Sequence, residues 1–380
     1  MLEGAARSLL ALVEGYHIFR KLFNKTQLFV ALAASAAIIA GCGGGQQSTV
    51  VPGTSTSNNA QKPVTLGRRI LFYSRSYLKD HPELAPRGPH AQAALRSIMA
   101  TSSSNLLYGG GPIQKYPKIY LIFWGWSSAS DTTHDPNGMA QYLVNYTTAL
   151  GGSNIANVAT QYYENARGNI TNPTGQFAGT WYDSSSQPPS TYVEADIQSE
   201  ANKAVAHFGY NADANYFVVT PHNVTTSGFG TQWCAFHNSM SSGNGPVAYT
   251  DFPYTSDVGS SCGMGSVNSP GTLDGASIVG GHEMEETVTD PGAGNGWLDS
   301  AGQENGDKCA WTNLQNDSMS GGKTFPNQPE WSNATSSCVH SYGSISTPPP
   351  TPTPAPTVTP SPKPTSTPVA GCSGQLLLNP

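Results

Sequence analysis

The run Gly281-His282-Glu283-Met284-Glu285-Glu286 holds the residue types best suited to chemistry. His282 and Glu286 stand four apart, so on a helix they project from one face, a turn apart. Glu283 lies roughly 100° round the axis from His282. The layout is that of the HExxH metalloprotease helix, with Glu in the second ligand position. An imidazole and a carboxylate one turn apart can grip a metal, and the adjacent carboxylate can take a proton from water activated there. We read His282 and Glu286 as metal ligands and Glu283 as the general base. Asp307 is the first choice for a third ligand. Glu304 and Asp290 downstream, and His237 upstream, are further candidates. Each has a plain alternative. Asp290 before Pro291 can cap a turn, Glu304 and Asp307 can be solvated loop acids, and His237 can be a core histidine. One imidazole with two carboxylates suits zinc, whereas more oxygen ligands would favour calcium.

Local charge sharpens this reading. Eight acids and one base lie between Asp274 and Lys308. Carboxylates this dense repel unless solvent spreads them or a cation neutralises them. The net charge of −6 hides the asymmetry: residues 113–343 carry −14 and residues 1–112 carry +7. An acidic domain behind a basic leader argues against nucleic acid as a partner.

The elements around the motif alternate in type. A helix over 273–289 is stopped by Asp290-Pro291. Helical spacing also runs over 137–150 and 191–208. Apolar, β-branched and aromatic runs at 118–126, 216–220 and 247–252 read as buried strands. Strands interleaved with helices predict an α/β or α+β domain over 113–343: a mixed β-sheet with packed helices, one of them a zincin-like active helix. Cys234, Cys262, Cys309 and Cys338 fall inside it. Pairing by proximity predicts two disulfides, Cys234–Cys262 and Cys309–Cys338, in preference to a four-thiolate zinc site, because no CxxC spacing occurs.

Outside that domain the signals concern export and linkage. Arg20, Lys21 and Lys25 precede an apolar run from Leu28 to Ala40, which ends in Ile39-Ala40-Gly41-Cys42. This predicts a lipoprotein-type signal over 1–42, with Cys42 lipidated and the protein exported or held at the cell surface. Residues 43–112 read as a flexible tether and a basic, pro-like segment able to cover an acidic cleft, with a short helix near 90–99. Residues 344–370 are a Pro/Thr-rich spacer, with 10 prolines between Thr347 and Pro368. Residues 371–380 resemble the opening strand of an accessory β-sandwich module that the chain cuts short.

Several of these stretches together resemble the phosphate-induced, EXORDIUM-like family and its bacterial secreted relatives. They are Trp233-Cys-Ala-Phe-His237, His282-Glu-x-x-Glu286, Thr289-Asp-Pro, Gly296-Trp297-Leu-Asp299, Glu304-Asn-Gly-Asp-Lys-Cys309 and Gln328-Pro-Glu-Trp331. The resemblance covers about 117–340. It implies an extracellular domain, zincin-like around the HExxE helix, without an assigned activity. Where the family has Ile before Gly or Ala, this chain has Asn305-Gly306. Two functions follow as expectations: a zinc metallopeptidase acting on peptide or protein substrates, or a non-catalytic extracellular domain with structural calcium or no metal. The sequence leaves the oligomeric state open.

Overall fold

A computed structural model describes residues 67–85 and 105–343. Its centre is a six-stranded sheet. The strands are β1 (Ile70–Tyr73), β2 (Lys118–Trp124), β3 (Phe177–Asp183), β4 (Ala214–Val219), β5 (Trp233–Ser242) and β6 (Gly245–Phe252). They lie side by side in the order β1-β5-β6-β4-β2-β3. The pairs β6/β4, β4/β2 and β2/β3 are parallel, while β5 runs antiparallel to both β1 and β6. The mixed sheet and its helices match the expected class. Parallel strands buried on both faces read as unbroken apolar runs, which is why β2 and β4 were visible in the sequence.

Among the described residues four α-helices accompany the sheet: α1 (Arg75–Asp80), α2 (Met139–Leu150), α3 (Glu194–Phe208) and α4 (Asp274–Thr289). The chain steps outward from β2 to β3 through α2, then back across β2 to β4 through α3. Right-handed crossovers in opposite directions put those helices on opposite faces. Strand alternation agrees. Asn238 and Tyr249 bond Glu194 of α3, while Thr250 joins Asn215 on the α4 side, where Asn215 also bonds Thr287. His237 pairs in register with Thr250 and so faces α4.

Helix α4 is buried along its whole length, although half of it is polar. Strand β5, helix α2 and the short strand Thr324–Asn327 enclose it. Gly281 permits this packing: a Cβ there would stand 2.2 Å from the Tyr146 hydroxyl oxygen. The helix ends at Asp290, as Pro291 requires.

Both disulfides form as paired by proximity. Cys234–Cys262 fastens the start of β5, and Cys309–Cys338 fastens the loop that follows α4. They suit an oxidising compartment. Among the described residues no helix is long and apolar enough to cross a membrane.

Part of the segment expected to be pro-like is built into the fold. Strand β1 forms one edge of the sheet, and Leu107–Tyr108 pairs with Trp297–Leu298. The signal, Cys42, the helix near 90–99, the spacer and the accessory strand lie outside the described residues.

Candidate metal centre

Three chain segments deliver the acids and histidines to one place. Strand β5 supplies His237, helix α4 supplies His282, Glu283 and Glu286, and the loop after α4 supplies Glu304 and Asp307. That loop is held closely. The Asp307 N–H donates to Glu286 Oε1 at 2.8 Å, Trp331 N–H donates to the Asn305 carbonyl, and Lys308 lies against Trp331 and pairs with Asp299. The disulfide at Cys309 fixes its far end.

Two ligand sets result, each with its donor atoms within 4.8 Å of one another. One is His282, Glu286 and Asp307, the trio expected from sequence. His282 Nε2 is 3.0 Å from Glu286 Oε1 and 3.9 Å from Asp307 Oδ1. The other is His237, Glu286 and Glu304. His237 Nε2 is 3.5 Å from Glu304 Oε2, and its Nδ1 is 3.7 Å from Glu286 Oε2. Glu286 belongs to both sets.

Asp290 belongs to neither. Its carboxylate accepts the N–H groups of Gly294, Asn295 and Gly296 and so shapes the turn after α4. Glu283 Oε2 lies 3.3 Å from His237 Nδ1, within hydrogen-bond distance, while its Oε1 has no partner. Gln328 Nε2 lies 3.0 Å from His282 Nδ1 and donates to the Gly306 carbonyl.

Burial sets the electrostatics. His237, His282, Glu283, Glu286 and Glu304 are fully buried, and only Asp307, with its side chain 17% exposed, meets solvent. Desolvation pushes His237 down to about 3 and His282 to about 4, so both imidazoles are neutral at pH 7 and free to ligate. Desolvation, reinforced by the neighbouring Glu286, drives Glu283 and Glu304 well above the usual carboxylate range. Burial raises Glu286, and burial with the Glu286 charge raises Asp307. Among the described residues these four carboxylates have no Lys or Arg within 4 Å; their ion-pair neighbours are the two histidines.

Seven buried polar atoms here lack a hydrogen-bond partner: His237 Nε2, His282 Nε2, Glu283 Oε1, Glu286 Oε2, both Glu304 oxygens and Gln328 Oε1. Native interiors rarely tolerate such a cluster, because each orphan costs about 1–3 kcal/mol. Imidazole and carboxylate donors around a shared space fit a divalent cation of borderline softness.

Gly306 makes the close approach possible. A Cβ on it would lie 2.6 Å from His282 Nδ1 and 2.9 Å from Glu286 Oε1. Gly306→Ala is expected to push the loop off α4 and weaken cation binding at least about tenfold, the range of second-sphere changes. Calorimetric titration with zinc checks this, and unchanged affinity would contradict it.

Three site residues escaped the sequence reading. Gln328 and Glu330, the latter accepting from Asn305 Nδ2, sit in the Gln-Pro-Glu-Trp stretch, which has no ligand spacing of its own. Phe72 stacks on His282 at 3.9 Å between ring centroids and on Trp311 at 4.6 Å. Nothing in a four-residue apolar strand announces a ring placed over a ligand. A groove of about 520 Å³ lined by Tyr142, Asn268 and Asp274 opens at the start of α4. It lies roughly 12 Å along the helix from His282, since Asp274 precedes it by eight residues, so it is not the metal centre.

No family model, curated protein or solved structure matches the chain.

Proposed function

We propose that the chain is an exported zinc-dependent hydrolase, with peptide bonds as its substrate class. His282, Glu286 and Asp307 would hold the cation. The observation that carries this reading is the convergence of unpartnered imidazole and carboxylate atoms in a buried space that no Lys or Arg among the described residues reaches. Zinc bound there would supply Lewis acidity, polarising a carbonyl and acidifying water. Glu283 suits the general base: one oxygen is engaged by His237, the other is unpartnered, and burial raises its proton affinity. His282 Nε2 faces Glu286 and Asp307. For that nitrogen to ligate, the ring proton must sit on Nδ1, with the Gln328 amide turning its otherwise unpartnered Oε1 to accept it. Of the three ligands only Asp307 has exposed surface, 17% of its side chain, so solvent reaches the ligand atoms from that side.

The test is zinc content with hydrolysis of an unfolded protein such as casein. Glu283→Gln is expected to keep its zinc and lose about 10²–10⁴-fold in rate. Equal rates for Glu283→Gln and the parent would remove its role as base.

One observation favours the second reading, a non-catalytic extracellular domain. The centre is sealed, with Phe72 of β1 packed on His282. A purely structural calcium site would be sealed in the same way. An imidazole among the three donors speaks for zinc over calcium, which takes 6–8 oxygens. The sealing also fits the reading of the basic segment as a cover. Residues 67–85 would then have to leave for substrate to enter. Cutting within 86–104 and releasing that piece is expected to raise hydrolysis at least about tenfold, since the competent fraction sets the apparent rate. A rate unmoved by release would leave β1 as an ordinary edge strand. Anchoring through a lipid on Cys42 is part of the same proposal and rests on the sequence of the leader.

A further inference from the structure

We propose that a second divalent cation, also zinc, is held by His237, Glu286 and Glu304, with Glu286 bridging the two sites. This deepens the proposed function and rests on it only through Glu286. The atoms concerned are not those of the first set. Glu286 uses Oε1 toward His282 and the Asp307 N–H, while Oε2 points toward His237 without a hydrogen-bond partner. Both Glu304 oxygens are also unpartnered, in a residue with no exposed surface. A cation at the first set would satisfy His282 Nε2 and leave these atoms orphaned.

His237 is prepared as a ligand by its surroundings. Its Nδ1, 3.3 Å from Glu283 Oε2, is placed to donate its proton to that carboxylate. That bond leaves the lone pair on Nε2, which has no partner and faces Glu304 at 3.5 Å. Carboxylate–histidine pairs of this kind orient metal-binding imidazoles. Glu283 is therefore also a positioning residue for the second site.

Charge balance points the same way. Glu283, Glu286, Glu304 and Asp307 bring four negative charges when ionised, and no Lys or Arg among the described residues reaches them. One divalent cation compensates two of those charges and obliges the other two carboxyls to stay protonated. Two cations close the balance. Cations sharing a carboxylate form the paired centres that clamp both the attacking and the leaving oxygen in displacement chemistry.

The experiment is native mass spectrometry of the full chain, stripped with chelator and reloaded with zinc. Two zinc ions per chain are expected. Glu304→Gln and His237→Asn are each expected to carry one, His282→Asn one, and Glu286→Gln none. Thermal melts confirm that each variant is folded. Should the His237 or Glu304 variants not fold, titration of the parent with cobalt(II), followed by its visible absorption, is expected to break at two equivalents. One ion in the parent, or a cobalt break at one equivalent, would overturn the second site and leave the first standing. No bound ion at all would overturn both.

Discussion

Glu286→Gln is expected to abolish hydrolysis, by about 10³-fold or more, and at the same time to stabilise the metal-free chain at pH 8. The first half follows from the shared position of Glu286. It is the one residue common to both ligand sets, so its loss removes Lewis acidity worth several kcal/mol of barrier, at about 1.4 kcal/mol per factor of ten. The second half follows from what the same carboxylate does without a cation. Its Oε2 is buried and unpartnered, among Glu283, Glu304 and Asp307. An amide of the same shape carries no charge. Its oxygen can still accept from the Asp307 N–H, and its NH₂ can donate to Glu304, whose oxygens have no donor. The gain should be about 1–3 kcal/mol, the scale of one orphaned buried group. Melting curves in chelator at pH 8, beside casein hydrolysis in zinc, decide the matter. A variant that melts below the metal-free parent would show that the cluster is not electrostatically strained.

The metal-free chain is expected to lose stability as pH rises, most steeply between about 6.5 and 8. Buried acids whose folded pKa lies above the unfolded value of about 4 contribute stability in full below that value. The contribution is lost as pH climbs through the folded pKa. Burial lifts Glu285 to about 8 and Asp251 to about 8, and it raises Glu330 well above its ordinary value. The ligand acids move the same way. His237 and His282 work in the opposite direction. Their folded pKa values are depressed, so the unfolded chain binds more protons below about 6.5, and their contribution grows as pH rises to that point. Above about 6.5 the histidines fall silent and the acids act alone. Zinc should flatten the fall, because its ligands ionise onto the cation and release protons on binding. A thousandfold excess over Kd adds about 4 kcal/mol. Melting temperatures across pH 5–8, with and without chelator, test this; a metal-free profile flat above pH 6.5 would refute it.

Much of the scaffold was readable in the chain because its cause is local. Strands β2 and β4 are continuous apolar runs, and α4 stops where the ring of Pro291 forbids another turn. Strand β5 was not readable as a strand. Trp-Cys-Ala-Phe-His-Asn-Ser-Met buries both faces with mixed polarity, so it shows neither alternation nor an apolar run. The chemistry was half legible. The HExxE spacing brought His282 and Glu286 to one face, and proximity along the chain brought in Asp307. His237 and Glu304 were named only as possibilities, because their meeting depends on β5 lying under α4, which no local pattern records. Phe72 and Gln328 were out of reach for the same reason.

That dependence has a bearing on how the protein reaches its working state. His237 and Gln328 each lie 46 residues from the helix residue they touch, one before α4 and one after it. The second ligand set therefore exists only once β5 and the loop after α4 have both docked on the helix, whereas the first needs the helix and that loop alone. Contacts so distant in sequence form late, after the entropy of closing their loops has been met. A cation at the second set thus enters as a late lock on a nearly finished fold, while one at the first set depends only on the docking of a neighbouring loop.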